Sequence, residues 1–180
     1  MLFRSLKKDE QARFHTKSGL LTADKRGDWI EMDFPTKEET KVDAFPELEK
    51  ILGVSAVYIG KNEFDYLLEV ETDEIVKRIT PNFTDLKKIS VRGIIVTSVS
   101  GSNEFDFISR FFAPGSGIDE DPVTGSAHCC LAPYWMKKLK KTEMLAYQAS
   151  ARGGIVKVRM NGNRVMLCGQ AVTVLQGELL

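Results

Sequence analysis

A glycine-rich, acidic segment in the second half of the chain carries the residue types best suited to chemistry. Residues 119–121 are three consecutive acids, and Thr124, Gly125 and Ser126 follow them just before a long apolar stretch. If that stretch is a helix, Thr124 or Ser126 can cap it, and its first amides can bind an anion because they lack partners within the helix. Asp121 could then act as a general acid or base on a carbon acid held by those amides. An N-capping loop with solvated acids explains the same residues equally well.

Three further side chains are candidates near this segment. Arg110 and Arg152 can each bind a substrate carboxylate through two hydrogen bonds, or brace a loop instead. His128 can serve as a base, although its place in an apolar stretch favours a histidine of the core.

Two other site types fit the segment less well. Residues 119–124 could form a phosphotransferase loop in which the first acid is a nucleophile and two acids bind Mg²⁺. Such a loop directly follows a hydrophobic strand, whereas residues 114–117 intervene here. Zinc binding by residues 128–130 is disfavoured because adjacent residues on a helix point in different directions. We therefore expect no metal ion.

The apolar stretch after the acidic segment determines the architecture. Residues 125–141 carry apolar side chains on nearly every side in their first turns, so a helix here must be buried all round. About eight short strands elsewhere in the chain are available to surround it. The economical arrangement is an α+β fold in which a curved sheet or barrel encloses one central helix.

Local signals place the surrounding elements. Strand-like runs before Pro35 give way to a polar, linker-like segment at residues 36–43. Pro46 begins a short helix that Gly53 closes, and Thr72 is typical of the N-cap of a second helix. The change of composition at residues 35–45 marks a boundary between two parts of the chain.

Composition excludes several classes of protein. Lysine plus arginine and aspartate plus glutamate number 25 each, so no overall field attracts nucleic acid or an anionic membrane. Three cysteines, two of them adjacent, do not form a disulfide framework and suit a reducing compartment. The N-terminus lacks the apolar core of a signal peptide, and no run reaches the roughly 20 apolar residues of a membrane span. We expect a cytoplasmic protein.

The segment at residues 117–130, together with Pro133, Tyr134 and Trp135, resembles the signature loop and helix of the phenazine-biosynthesis PhzF family. Four supporting stretches are also similar to that family, at residues 14–20, 32–35, 148–154 and 165–172. The resemblance therefore extends over nearly the whole chain.

The resemblance implies two pseudo-symmetric lobes, the diaminopimelate-epimerase fold, with the active site in the cleft between them. Residues 1–35 would correspond to a remnant of the N-terminal lobe and residues 36–168 to a complete C-terminal lobe. Residues 169–180 are then expected to form a strand that returns to the N-terminal lobe.

The resemblance also implies a reaction. It is isomerisation or epimerisation, in which a proton moves at a carbon of a small carboxylate-bearing metabolite without a cofactor. Asp121 matches the aspartate that lines the cleft, and Gly125 and Ser126 match the amide donors for the substrate carboxylate. Related epimerases use two thiols, but Cys129 and Cys130 lie past the loop and are expected in the core.

One departure from the family pattern leaves two functions open. The proposed catalytic glutamate and a glycine-histidine pair of the family lie in an N-terminal half that this sequence lacks. The chain is then either an isomerase that is incomplete by itself, or a truncated lobe that binds a partner or a small carboxylate without turnover. An uncovered lobe face and unpaired strand edges predict a homodimer or a complex with a separate N-terminal lobe.

Overall fold

The computed structural model describes residues 11–16, 19–172, 174, 175 and 177, which form one mixed sheet with four α-helices and a short 3₁₀ helix at Pro114–Ser116. The strands are β1 (Ala12–Thr16), β2 (Gly19–Arg26), β3 (Trp29–Pro35), β4 (Thr40–Lys41), β5 (Ala56–Lys61), β6 (Asp65–Val70), β7 (Gly93–Val99), β8 (Phe107–Ala113), β9 (Ile118–Glu120), β10 (Glu143–Gln148), β11 (Gly154–Asn161) and β12 (Arg164–Gly169). The helices are α1 (Pro46–Leu52), α2 (Asp73–Arg78), α3 (Phe83–Leu86) and α4 (Gly125–Leu139).

The sheet order explains how the chain surrounds α4. The order is β1-β2-β3-β12-β11-β10-β8-β7-β6-β5-β4, with β9 paired to β8. Parallel pairing occurs between β6 and β7, where α2 and α3 form the crossover, and between β8 and β10, where α4 does; α1 lies between β4 and β5. The other strand pairs are antiparallel, as expected for short connections.

Helix α4 is the centre of the larger core. Every residue from Ala127 to Trp135 is buried. The side chains packed around them come from strands β3, β12, β11, β10, β8, β7, β6 and β5, which are consecutive in the sheet. The predicted α+β fold with a curved sheet around a central helix is therefore confirmed, and the sheet is not closed by strand pairing between its two ends.

The opposite face of the sheet is covered only in part. Helices α1, α2 and α3 pack on the outward side chains of strands β5 to β8 and form a second core. The predicted signals hold there: Gly53 ends α1 with a φ of 69°, and the Thr72 hydroxyl accepts a hydrogen bond from the Ile75 amide at the start of α2. The sheet thus presents one face to α4 and the other to the small helices.

The described part of residues 1–35 continues the same sheet. Strand β3 pairs with β12 from Pro35 opposite Arg164 to Ile30 opposite Gly169. The lobe boundaries remain predictions, as does the strand expected at residues 169–180, where residues 173, 176 and 178–180 lie outside the described residues. Among the described helices, none is long and apolar enough to cross a membrane.

Candidate active site

The acidic segment lies between the sheet and the N-terminus of α4. Strand β9 pairs with β8, and the Asp121 amide donates a hydrogen bond of 3.0 Å to the Phe111 carbonyl. This contact fixes the backbone of Asp121 to the end of β8. The chain then needs only residues 122–124 to reach the first residue of α4, Gly125.

Thr124 is the N-cap residue of α4, but its side chain does not cap the helix. Its hydroxyl instead donates a hydrogen bond of 2.6 Å to Oδ2 of Asp121. The first helical amide bonded to its carbonyl belongs to His128. The amides of Gly125, Ser126 and Ala127 therefore have no partner within the described residues, and Gly125 and Ser126 are exposed.

Gln148, the last residue of β10, ties the acid to the cap residue. Its Oε1 accepts a hydrogen bond of 2.8 Å from the Thr124 amide. Its Nε2 donates to the Asp121 carbonyl at 2.6 Å and to the Thr124 hydroxyl at 3.1 Å. The side chain is fully buried. Sequence reasoning did not assign Gln148 to the site, and its only signal was its place in the family-like stretch 148–154.

A second loop packs against the acidic segment. The Ser150 hydroxyl donates a hydrogen bond of 2.8 Å to the Pro122 carbonyl and accepts one of 3.1 Å from the Gly153 amide. Arg152 lies in this loop, is exposed, and makes no hydrogen bond or ion pair within the described part of the chain. The loop that contacts the Asp121 segment thus carries an exposed arginine without partners among the described residues.

Arg110 lies on the other face of the sheet. In β8 it alternates with Ser109 and Phe111, and Phe111 packs in the core around α4. Its guanidinium makes two hydrogen bonds with Glu120, at 2.6 and 2.8 Å, and donates 2.6 Å to the Ile79 carbonyl beyond α2. These contacts favour a role in bracing the loop over binding of a substrate carboxylate, because the guanidinium N–H groups of Arg110 are already bonded to Glu120 and to the Ile79 carbonyl.

His128 and the two adjacent cysteines belong to the core. His128 is fully buried, its Nδ1 lies 2.7 Å from the Thr124 carbonyl, and its Nε2 has no partner among the described residues. Burial lowers the pKa of His128 from its ordinary value of 6.5 to about 4, so the ring is neutral at pH 7. Burial likewise raises the pKa of Cys129 and of Cys130 to about 12, so neither is a thiolate nucleophile.

The segment has the parts for proton transfer next to an anion. A carboxylate held by one oxygen lies in the same loop as three helix amides that have no partner among the described residues, and the loop packed against it carries the exposed Arg152. Among the described residues, no three His, Cys, Asp or Glu side chains are grouped as ligands for a metal ion. Because a helix N-terminus carries partial positive charge, a carboxylate is favoured there.

Comparison with known proteins identifies relatives over almost the whole sequence. A family model described as "Phenazine biosynthesis-like protein" matches residues 1–177. An uncharacterized isomerase of Halalkalibacterium halodurans is 56% identical over 173 residues, which are 96% of this chain and 65% of that relative. The chain therefore spans just under two thirds of the length of this curated relative.

Solved structures show the same fold. The crystal structure of a PhzF-family phenazine biosynthesis protein from Enterococcus faecalis superposes with a TM-score of 0.89 at 35% identity, covering 98% of this chain and 67% of that one. A predicted epimerase of Pseudomonas aeruginosa has a TM-score of 0.72 at 18% identity, covering 98% and 69%. The second likeness concerns the fold alone.

Proposed function

Because this chain belongs to the phenazine biosynthesis-like protein family, we propose that it carries one acid and the anion-binding amides of a cofactor-independent isomerase site. The proposed substrate is a small metabolite with a carboxylate group next to the reacting carbon. The observation that supports this most directly is the hydrogen bond between Thr124 and Oδ2 of Asp121, which holds a carboxylate beside uncapped helix amides.

The proposed reaction moves one proton. The substrate carboxylate accepts hydrogen bonds from the amides of Gly125 and Ser126, and the exposed side chain of Arg152 supplies a further positive charge. Asp121, through Oδ1, removes a proton from the adjacent carbon, and the helix N-terminus stabilises the negative charge that develops on the substrate. The proton is then returned to a different carbon or to the opposite face.

Return to the opposite face needs a second acid. Among the described residues, Asp121 is the only carboxyl group bonded to the cap residue Thr124. We propose that the second acid comes from a separate N-terminal lobe, as the family resemblance implies. We further propose that the chain otherwise associates with a second copy, because the lobe face that packs on the N-terminal lobe in the family would need another cover. Light scattering with and without an added N-terminal lobe of a relative tests both arrangements.

The decisive experiment is solvent-deuterium incorporation into the substrate carbon. It is run on the chain combined with an N-terminal lobe from a family member. Asp121→Asn should lower the exchange rate by about 10²- to 10⁴-fold, the usual contribution of a general acid or base. Asp119→Asn is the matched control, because Asp119 is exposed in the same segment, and it should leave the rate within about twofold. Equal rates for wild type and Asp121→Asn would exclude the catalytic role.

The alternative is a lobe that binds small carboxylates without turning them over, and the single acid at the cap residue is the observation in its favour. An NMR titration with acetate or sulfate tests the anion site, and deuterium incorporation separates the two functions. Both require perturbation of the amides of residues 125–127. Only the isomerase also shows deuterium incorporation once the N-terminal lobe is added. Perturbations elsewhere, with these amides unmoved, would contradict both.

A further inference from the structure

The side chain of Gln148 is hydrogen-bonded to both the hydroxyl and the backbone amide of Thr124. We propose that Gln148 is a positioning residue that keeps this hydroxyl turned towards Asp121 and away from α4, and thereby keeps the helix N-terminus open for an anion. The inference rests on the proposed function, since it concerns the same amides. Its own observation is independent: three hydrogen bonds from one fully buried side chain.

A threonine at an N-cap ordinarily accepts a hydrogen bond from the second or third helical amide. In α4 those amides belong to Ser126 and Ala127, and the Thr124 hydroxyl bonds to neither. The hydroxyl is committed elsewhere, since it donates to Oδ2 of Asp121 at 2.6 Å and accepts from Nε2 of Gln148 at 3.1 Å. Neither partner is an amide of the helix.

The amide group of Gln148 is fully used in this arrangement. Its two N–H groups go to the Asp121 carbonyl and the Thr124 hydroxyl, and its Oε1 accepts from the Thr124 amide. No other orientation of the side chain satisfies the same three groups, because the donor and acceptor ends are not interchangeable. The hydrogen-bonding pattern therefore fixes Asp121 and Thr124 together.

Loss of the Gln148 donors would free the Thr124 hydroxyl to cap its own helix. A cap bond at Ser126 or Ala127 would compete with a bound anion for the same amide. An N-cap bond is worth about 1 kcal/mol, so the competition should weaken anion binding about fivefold. Loss of the Gln148 donors should not weaken anion binding in a variant whose residue 124 has no hydroxyl.

The experiment compares four forms of the full chain by NMR titration with sulfate: wild type, Gln148→Met, Thr124→Val and the double variant. Gln148→Met should weaken sulfate binding about fivefold. Without ligand, it should also move the amide proton chemical shift of Ser126 or Ala127 to the value of a hydrogen-bonded amide. Thr124→Val removes the hydroxyl that could cap α4, so in this background Gln148→Met should change sulfate affinity by no more than about twofold. Ser109→Ala is the matched control, because Ser109 is the cross-strand partner of Gln148, equally buried, and its hydroxyl has no partner among the described residues.

The test is whether the effect of Gln148→Met on sulfate affinity depends on the Thr124 hydroxyl. If Gln148→Met weakens binding equally with and without the Thr124 hydroxyl, Gln148 has only a structural role and the proposal is wrong. If wild type does not bind sulfate, the anion site of the proposed function fails, while the ligand-free amide shifts still test Gln148. If the methionine variant does not fold, Gln148→Asn gives the same comparison, because it stays neutral and its side chain is one methylene too short to keep all three hydrogen bonds.

Discussion

The backbone amide of Lys37 donates a hydrogen bond of 2.9 Å to the carbonyl of Cys129, in the middle of α4. In a regular helix that carbonyl would accept from residue 133, but Pro133 has no N–H. The segment that joins β3 to β4 thus supplies the donor that the helix lacks. This contact holds the segment between β3 and β4 against the helix.

Lys37→Pro should lower the free energy of unfolding by about 1–3 kcal/mol, because it leaves the buried Cys129 carbonyl without a donor. Lys37→Ala is the control, since it keeps the backbone amide and loses the same side-chain contacts as Lys37→Pro, an ion pair with Glu63 and a cation–π contact with Phe64, each worth about 1 kcal/mol or less. In a Pro133→Ala background the helix provides the missing donor, so the cost of Lys37→Pro should shrink. Urea unfolding of the four forms measures this coupling, and an equal cost in both backgrounds would point to backbone strain instead.

The sequence predicted the helix-centred fold better than it predicted the site. An all-round apolar helix such as residues 125–135 can only be buried, and Gly53 and Thr72 are local signals that act within one turn. Gln148 could not be assigned because its partners, Asp121 and Thr124, are 27 and 24 residues away and meet it only through the parallel pairing of β8 and β10. Arg110 was ambiguous because only strand register decides which sheet face it occupies.

His128 should make the stability of the protein depend on pH below neutrality. Burial lowers the pKa of His128 to about 4 in the folded chain, whereas the unfolded chain has the ordinary value of 6.5. As the pH falls through this interval, the unfolded chain takes up a proton that the folded chain excludes, and stability is lost by up to about 3 kcal/mol. His128→Asn should flatten the pH dependence of the unfolding free energy between about pH 6.5 and pH 4.

Gly154 should be essential for the approach of the second loop to the acidic segment. A Cβ atom at Gly154 would lie 2.2 Å from Cγ2 of Val123, next to the residues that hold Asp121. Because valine is β-branched and stiff, Gly154→Ala should displace the segment and cost about 1–3 kcal/mol. Gly169→Ala is the control, because a Cβ there meets no atom within 4 Å. Equal melting temperatures for the two variants would contradict the close packing.

Replacing Arg110 and Arg152 by lysine should have different effects, the first on stability and the second on anion binding. Arg110→Lys keeps the charge but cannot reproduce the two bonds to Glu120 together with the bond to the Ile79 carbonyl, so it should lower the unfolding free energy by about 2 kcal/mol. Sulfate affinity of its folded form should be unchanged, since the guanidinium lies on the α2 face of the sheet.

Arg152→Lys should do the reverse, with stability within about 0.5 kcal/mol of wild type and weaker carboxylate binding, because an exposed side chain without partners contributes little to folding. Thermal unfolding and the acetate titration measure the two effects on the same samples. Weakened acetate binding in Arg110→Lys, with stability preserved, would return Arg110 to the binding site and remove the bracing assignment.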